Sequence, residues 1–275
     1  MEGLVVSMLP EFTRHTDLRA LALWAYQHTG LVKTTFFILA AAGMLLPMTS
    51  ETLIALISGA GLDIWVWDKV RGELAAPTLV VNRSPNTEAT LSDHVQAAIE
   101  QIEAAKAQNV VLVCHSIGGA IGVEVAKQLP KRIAAVCYVT AIIPQPGKSY
   151  VASLPFPQNL ITGPLLRVAG TKPPEKIIMN GMCNDVSEAD TRKLLQSFTP
   201  ETKGLYLDKT TATPLPMCPS LYVHTSQDKT LPQKVQQRMA TAVNAETTHL
   251  RSGHLPMLSQ PKELSRAIND FVAQL

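Results

Sequence analysis

The chain has 275 residues, of which 46% are hydrophobic, and it carries a formal net charge of +2 at pH 7. This length and apolar content are sufficient for one large α/β domain, or for two small domains, with a substantial core. The near-neutral charge, without a long basic run, gives no reason to expect a nucleic-acid partner.

The first fifty residues differ in character from the rest and are predicted to form an N-terminal leader. Residues 36–48 are an apolar run preceded by Lys33, which is too short for a stable membrane span and typical of the core of a signal peptide. A translation start near Val32 would explain its distance from Met1. The alternatives are a helical extension packed on the domain and an anchor on a membrane surface. An export signal over residues 32–50 predicts a periplasmic or secreted protein. Without such a signal, a cytoplasmic protein is expected.

From residue 51 to 275 the pattern indicates one α/β domain. The predicted strands cover residues 52–57, 78–82, 110–114, 133–140, 220–225 and 246–250, and the predicted helices cover residues 65–74, 91–108, 117–128, 232–243 and 262–275. Strands that alternate with helices at this spacing predict a mostly parallel central sheet with helices on both faces. Residues 141–215 carry scattered proline and glycine without a clear strand, which predicts an inserted lid.

Four cysteines are present, and none has the C-x-x-C spacing typical of a zinc or redox site. Cys114 and Cys137 lie in apolar, strand-like runs and are expected to be small core residues. Cys183 and Cys218 lie in less regular surroundings and could form a disulfide if the compartment is oxidising.

The third predicted strand runs directly into a serine between small residues, in the sequence V-L-V-C-H-S-I-G-G-A over residues 111–120. A serine on a sharp strand-to-helix turn stands clear of its neighbours, and the strained backbone there requires small residues two positions before and after it. Cys114 makes the pattern C-x-S-x-G rather than the commoner G-x-S-x-G. Ser116 is therefore a candidate nucleophile, and the alternative is a buried strand followed by a glycine-rich turn.

A nucleophilic serine needs a base and an acid that orients the base. His254 lies in a loop between the last strand and the last helix, and it is the candidate base. His115 is expected to point away from the serine. Asp228 follows the fifth strand and is the candidate acid, although a loop histidine or a turn aspartate can also be purely structural. The order serine, acid, histidine is the one expected on a doubly wound sheet.

Two backbone N–H groups are candidates for stabilising a negatively charged oxygen during catalysis. One belongs to Ile117, which follows the candidate nucleophile. The other belongs to Ala60, in the turn Ser58-Gly59-Ala60-Gly61 after the first strand, where glycine allows a close approach of the backbone. The alternative for the second is an ordinary glycine-rich turn.

These landmarks resemble the α/β-hydrolase superfamily, and most closely its small esterase branch, which includes plant methylesterases, hydroxynitrile lyases and bacterial relatives. The resemblance covers about residues 52–275, and its landmarks are I-S-G-A-G at 57–61 with Trp65 and Trp67, C-H-S-I-G-G at 114–119, S-Q-D-K at 226–229 and G-H-L-P-M-L-S-Q-P at 253–261. It implies the α/β-hydrolase fold. It also implies Ser116 as nucleophile, His254 as base, Asp228 as orienting acid, and Ala60 and Ile117 as oxyanion donors.

Two positions depart from the superfamily pattern. Ser58 occupies the place of a histidine that helps to hold the oxyanion turn, and Cys114 occupies the place of a glycine. Ser58 predicts an oxyanion turn that is looser or differently bonded, whereas the turn at Cys114 is expected to keep its form because cysteine is still small.

The sequence favours a carboxylesterase that acts on a small or medium uncharged ester through an acyl-enzyme, without a metal or organic cofactor. The lid is expected to contribute a largely apolar pocket. Its apolar residues include Leu154, Phe156, Leu160, Ile161, Leu165, Leu166, Met179, Met182, Leu194 and Phe198. A hydroxynitrile lyase is the first alternative, but Leu255 and Gly59 stand where such lyases have lysine and threonine. A non-catalytic binding protein is the second alternative, and the oligomeric state is left open.

Overall fold

The computed structural model describes residues 52–213 and 218–275, and its six strands alternate with helices along these residues. The strands are β1 (Thr52–Ile57), β2 (Thr78–Val81), β3 (Asn109–His115), β4 (Ile133–Val139), β5 (Ser220–Thr225) and β6 (Glu246–Leu250). A 3-10 helix (Ile64–Trp67) precedes the short α1 (Asp68–Arg71), and the other helices outside the β4–β5 connection are α2 (Leu91–Ala104), α3 (Gly118–Gln128), α9 (Gln233–Ala242), α10 (Pro256–Ser259) and α11 (Pro261–Val272). The predicted strands all occur. The predicted helix 91–108 ends earlier, at Ala104, and Lys106 then adopts a left-handed φ of 56°.

The six strands form one parallel sheet in the order β2-β1-β3-β4-β5-β6. Every residue of β1 is buried, as expected for a strand covered by helices on both faces. One face packs against α2, α3 and α9, and the other packs against Trp67 and α11. The predicted α/β-hydrolase architecture is therefore confirmed. Because all strands run the same way, the loops after β1, β3, β5 and β6 meet at one edge of the sheet.

The connection between β4 and β5 contains no strand over its described residues, in agreement with the sequence pattern. Its helices are α4 (Tyr150–Ser153), α5 (Gln158–Ala169), α6 (Glu175–Gly181), α7 (Glu188–Ser197) and α8 (Lys203–Leu207). We call residues 141–213 the helical insertion; its function as a lid remains a prediction. Leu166, Leu194 and Phe198 are buried, whereas Phe156, Leu160, Ile161, Leu165 and Met179 are exposed. The expected apolar set is thus divided between the core and the surface.

The four cysteines have free thiols. Cys183 is buried in the cluster that contains Trp67, while Cys218 packs against the cluster on the other face of the sheet. The disulfide considered for these two residues is therefore absent. The predicted leader and export signal lie outside the described residues. Within residues 52–213 and 218–275, no helix is both long enough and apolar enough to span a membrane.

Candidate active site

Ser116 lies on a strained turn between β3 and α3. Its φ of 53° is in the left-handed region, which few residues other than glycine adopt. The turn lies directly against the end of β1, where a Cβ on Gly118 would be 2.7 Å from the carbonyl oxygen of Ile57. The C-x-S-x-G pattern therefore requires glycine at position 118 for a steric reason, since no side chain fits there.

The cysteine of the same pattern is accommodated by a glycine that the sequence analysis did not single out. Gly122 lies in α3 opposite the Cys114 side chain, and a Cβ at this position would be only 2.3 Å from Cys114 Sγ. Cys114 is fully buried. The absence of a side chain at Gly122 in α3 thus leaves the space that the Cys114 side chain occupies.

Ser116, His254 and Asp228 form a continuous chain of hydrogen bonds at the carboxyl edge of the sheet. His254 Nε2 is 3.1 Å from Ser116 Oγ, and His254 Nδ1 is 2.8 Å from Asp228 Oδ2. The side chain of His254 is 2% exposed and that of Asp228 is fully buried. The structure therefore brings together the three side chains that were selected from separate parts of the sequence.

Asp228 accepts hydrogen bonds at both carboxylate oxygens. Besides His254, its donors are the Oγ1 hydroxyls of Thr140 (2.7 Å) and Thr225 (3.1 Å), which reach Oδ2, and the N–H groups of Thr230 (2.7 Å) and Leu231 (2.8 Å), which reach Oδ1. Burial acts to raise the pKa of Asp228, but the charge of His254 and these hydrogen bonds outweigh it and lower the pKa to about 2. The carboxylate is therefore ionised at neutral pH. The sequence analysis did not find the two threonines, which follow β4 and end β5.

His115 contacts the loop that carries His254. Its Nε2 is 2.8 Å from the carbonyl oxygen of His254, and the centroids of the two rings are 4.9 Å apart. Burial lowers the pKa of His115 to about 3, with a further contribution from the nearby His254 charge. The ring is therefore neutral at ordinary pH and donates from Nε2 to the carbonyl. This supporting contact was not predicted from the sequence.

The turn Ser58–Gly61, which we call the oxyanion loop, lies beside Ser116. A Cβ on Gly59 would be 3.0 Å from Ser116 Cβ and 2.6 Å from His115 Nδ1. Among the residues that the structure describes, none accepts a hydrogen bond from the backbone N–H of Ala60 or Ile117. Both candidate donors thus remain available to a ligand.

The oxyanion loop is held by side chains that lie far from it in sequence. Trp67 Nε1 donates to Ser58 Oγ over 3.0 Å, so the serine hydroxyl is anchored from the 3-10 helix. Arg83 Nη2 donates to the carbonyl oxygens of Ser58 (2.6 Å) and Gly59 (3.4 Å). The N–H of Gly61 donates to Glu201 Oε1 over 3.1 Å. The hydroxyl of Ser58 is therefore held by a hydrogen bond from Trp67, and its carbonyl oxygen by one from Arg83.

The helical insertion also contacts the site at two further points. The Tyr150 hydroxyl contacts Ser116. Burial raises the pKa of Tyr150 to about 12, since it outweighs the lowering that the hydrogen bond with Ser116 causes, and the phenol therefore stays protonated. On the opposite side, the N–H of Gly253 donates to Asp185 Oδ2 over 2.6 Å. A Cβ on Gly253 would be 2.4 Å from Asp185 Oδ1. The loop that carries His254 therefore fits closely against the insertion.

The described residues contain no group of three or more His, Cys, Asp or Glu side chains placed to hold a metal ion. What the site contains is a serine, an imidazole and an ionised carboxylate in series, with two available N–H groups nearby. This set can transfer a proton from the serine hydroxyl and stabilise an anionic oxygen.

Comparison with known proteins places the chain in a family. A family model described as "Alpha/beta hydrolase family" matches residues 54–267. The protein named "Putative methylesterase 14, chloroplastic" from Arabidopsis thaliana is 26% identical over 266 residues, which cover 85% of this chain and 76% of that protein.

Solved structures share the fold. An extracellular α/β-hydrolase from a Paenibacillus species superposes with a TM-score of 0.71 at 19% identity, covering 80% of this chain and 98% of that one. Polyneuridine aldehyde esterase gives a TM-score of 0.65 at 19% identity, covering 81% and 100%. The expected resemblance to the esterase branch is confirmed, and the chain is an enzyme that belongs to the alpha/beta hydrolase family.

Proposed function

We propose that this protein is a serine carboxylesterase that hydrolyses small or medium uncharged esters through an acyl-enzyme formed on Ser116. The observation that carries the proposal is the hydrogen-bond chain from Ser116 Oγ through His254 to the buried Asp228 carboxylate. The names of two similar proteins, a putative methylesterase and polyneuridine aldehyde esterase, support ester chemistry.

Acylation begins at the Ser116 hydroxyl. His254 Nε2, 3.1 Å away, takes the hydroxyl proton while Oγ attacks the carbonyl carbon of the ester. The carbonyl oxygen becomes an oxyanion, which accepts hydrogen bonds from the N–H groups of Ala60 and Ile117. When the tetrahedral intermediate collapses, His254 gives its proton to the departing alcohol. Ser116 is left acylated.

Deacylation repeats these steps with water. His254 Nε2 takes a proton from a water molecule, whose oxygen attacks the acyl carbon, and the same two N–H groups stabilise the second oxyanion. The collapse of this intermediate returns the proton from His254 to Ser116 Oγ and releases the carboxylic acid. No metal or organic cofactor takes part in this scheme.

Asp228 determines which nitrogen of His254 can act as the base. The ionised carboxylate accepts a hydrogen bond from the N–H at Nδ1, so Nε2 faces Ser116 with its lone pair. The same carboxylate stabilises the imidazolium that forms when Nε2 takes the proton. Thr140 and Thr225 hold Oδ2 in the position that this requires.

The surroundings of the site do not favour a hydroxynitrile lyase. Leu255, where such lyases have lysine, is fully buried and apolar. Gly59, where they have threonine, has no room for a side chain, since its Cβ would lie 2.6 Å from His115 Nδ1. A non-catalytic binding protein would not need an ionised acid, a base and a serine in one chain of hydrogen bonds.

The test is the hydrolysis of p-nitrophenyl acetate, butyrate and octanoate by the wild type, by Ser116→Ala and by Ser92→Ala. Ser92 is an exposed residue of α2 and serves as the matched control. We expect turnover by the wild type and the control, and a loss of about 10⁶-fold in kcat for Ser116→Ala. Absence of wild-type turnover over a broad ester panel would contradict the proposal, as would full activity of Ser116→Ala. Release of cyanide from mandelonitrile would favour the lyase.

A further inference from the structure

Arg83 and Glu201 form a partly buried ion pair behind the oxyanion loop. Arg83 Nε is 3.4 Å from Glu201 Oε1, and the two side chains are 19% and 9% exposed. Arg83 follows β2, whereas Glu201 belongs to the helical insertion. The pair therefore joins the edge of the sheet to the insertion at the level of the loop.

Each member of the pair also bonds to the backbone of the oxyanion loop. Arg83 Nη2 donates to the carbonyl oxygens of Ser58 and Gly59, and Glu201 Oε1 accepts the N–H of Gly61. Among the described residues, the only cis peptide bond is between Phe156 and Pro157, so the loop peptides are trans. In a planar trans peptide, the carbonyl oxygen of one residue and the N–H of the next point in opposite directions. A bond that fixes the oxygen of Gly59 therefore also fixes the direction of the Ala60 N–H.

The peptide on the other side of Ala60 is fixed as well. The N–H of Gly61 is bonded to Glu201, while the carbonyl oxygen of Gly61 accepts the N–H of Thr199 over 3.2 Å. Gly61 has a left-handed φ of 72°, and its Cα lies against the ring of Phe198, so no side chain fits there. Glu201 is itself held by Thr171, whose hydroxyl donates to its carbonyl oxygen over 2.5 Å.

We propose that Arg83 and Glu201 are positioning residues that hold the Ala60 N–H in the direction required for oxyanion stabilisation. This inference rests on the proposed esterase function and deepens it. The two residues do not touch the reacting atoms; they act by fixing the peptides on either side of Ala60. The ion pair performs here the task that the superfamily histidine, replaced by Ser58, would otherwise share. Because Glu201 comes from the helical insertion, correct placement of the insertion is a condition for a complete oxyanion site.

The test compares Arg83→Met, Glu201→Gln and the double variant with the wild type and with Lys69→Met. Lys69 forms a 2.8 Å ion pair with Asp190 and so also connects the insertion to the rest of the domain, but it is half-exposed and has no bond to the oxyanion loop. We expect kcat for p-nitrophenyl acetate to fall about 100-fold in Arg83→Met, the loss typical of a displacement of about 1 Å at a catalytic group. Glu201→Gln keeps an acceptor for Gly61 and should lose roughly tenfold. KM should change little, since the interaction is made mainly in the transition state.

Three further measurements separate positioning from general stability. The affinity of a trifluoromethyl ketone, which forms an anionic adduct with a serine, should fall in parallel with kcat. The double variant should regain thermal stability relative to Arg83→Met, since no charge is left unpaired, but should not regain kcat. Lys69→Met should match the wild type in all of these.

The inference is overturned by wild-type kcat in Arg83→Met and Glu201→Gln, by an equal loss in Lys69→Met, or by recovery of kcat together with stability in the double variant. The rate at which a fluorophosphonate labels Ser116 provides a readout that does not depend on the hydrolysis of a carboxylic ester. If the wild type hydrolyses no ester, the proposed function fails, while the labelling rates of the variants still decide the inference. Equal labelling of wild type and variants then overturns it.

Discussion

The two halves of the candidate site are held in different ways. The acid, which holds the base, is itself held by residues near the carboxyl ends of the strands: Asp228 is bonded by Thr140 after β4, by Thr225 at the end of β5 and by two N–H groups of its own loop. The oxyanion loop is held by Trp67, Arg83 and Glu201, the last of which is 140 positions away from Gly61.

This difference indicates which half of the site depends on residues outside the sheet. The position of Asp228 follows from the parallel sheet itself, since its supports belong to strand ends or to its own turn. The position of Ala60 depends on a side chain of the helical insertion, a region outside the sheet. A change at Glu201 should therefore alter oxyanion stabilisation before it alters the position of Asp228.

The acid–base half is tested most severely by Asp228→Asn. The amide cannot hold His254 with Nε2 free to accept a proton, so kcat should fall about 10⁴-fold, as measured for the same change in a serine protease. The measurement is kcat on p-nitrophenyl acetate, with Asp63→Asn as the control. Asp63 caps the 3-10 helix through its side-chain oxygen, a function that asparagine also performs. A loss of less than tenfold in Asp228→Asn would show that the carboxylate does not orient the base.

The contrast between the two halves also explains what the sequence could predict. Ser116, Asp228 and His254 follow strand ends, and a strand that is buried on both faces is recognisable from its continuous apolar run, as in β1 and β3. Once the strands are located, the parallel arrangement brings their carboxyl ends together. The sheet, Ser116 and Asp228 were accessible for this reason, whereas His254 follows the mostly exposed β6 and was selected for its position in the loop after the last strand.

The supports of the oxyanion loop were not accessible in the same way. Arg83 and Glu201 are charged residues in loops, and nothing in their local sequence distinguishes them from residues on a solvated surface. Their pairing depends on how the insertion folds back over residues 58–61. Thr140 was missed for a related reason, because a threonine at a strand end is also an ordinary β-branched strand residue.

The oxyanion half is tested by Gly59→Ala. The added Cβ would lie 2.6 Å from His115 Nδ1 and 3.0 Å from Ser116 Cβ, so the loop must move away from the nucleophile. We expect kcat to fall about 100-fold, close to the loss of one oxyanion donor, with KM little changed. Gly72→Ala is the matched control, since its Cβ would have 3.8 Å to its nearest neighbours. Unchanged kcat in Gly59→Ala would show that the loop does not contribute a donor.

The stability of the acid half should depend on pH in a defined range. The pKa of Asp228 is about 2 in the folded protein and 3.8 as the reference value, so the folded state favours the ionised form. This contribution is fully present above the unfolded pKa and is lost as the pH falls through the folded value. It corresponds to about 2 kcal/mol of free energy of unfolding. Urea denaturation of the wild type and of Asp228→Asn should therefore show a difference in stability that shrinks between roughly pH 5 and pH 2. A constant difference over this range would contradict the low pKa.

The turn that carries Ser116 depends on the packing of Cys114 against Gly122. Gly122→Ala would place a methyl group 2.3 Å from Cys114 Sγ in a fully packed core, which should lower the free energy of unfolding by about 1–3 kcal/mol. Cys114→Ala removes the sulfur, so the double variant should be more stable than Gly122→Ala alone, a coupling that a double-mutant cycle in urea measures directly. The double variant should also retain kcat, because the methyl group added at position 122 fills the space of the sulfur and leaves the turn at Ser116 in place. Additive effects of the two changes would show that Cys114 is tolerated for a reason other than the missing side chain at Gly122.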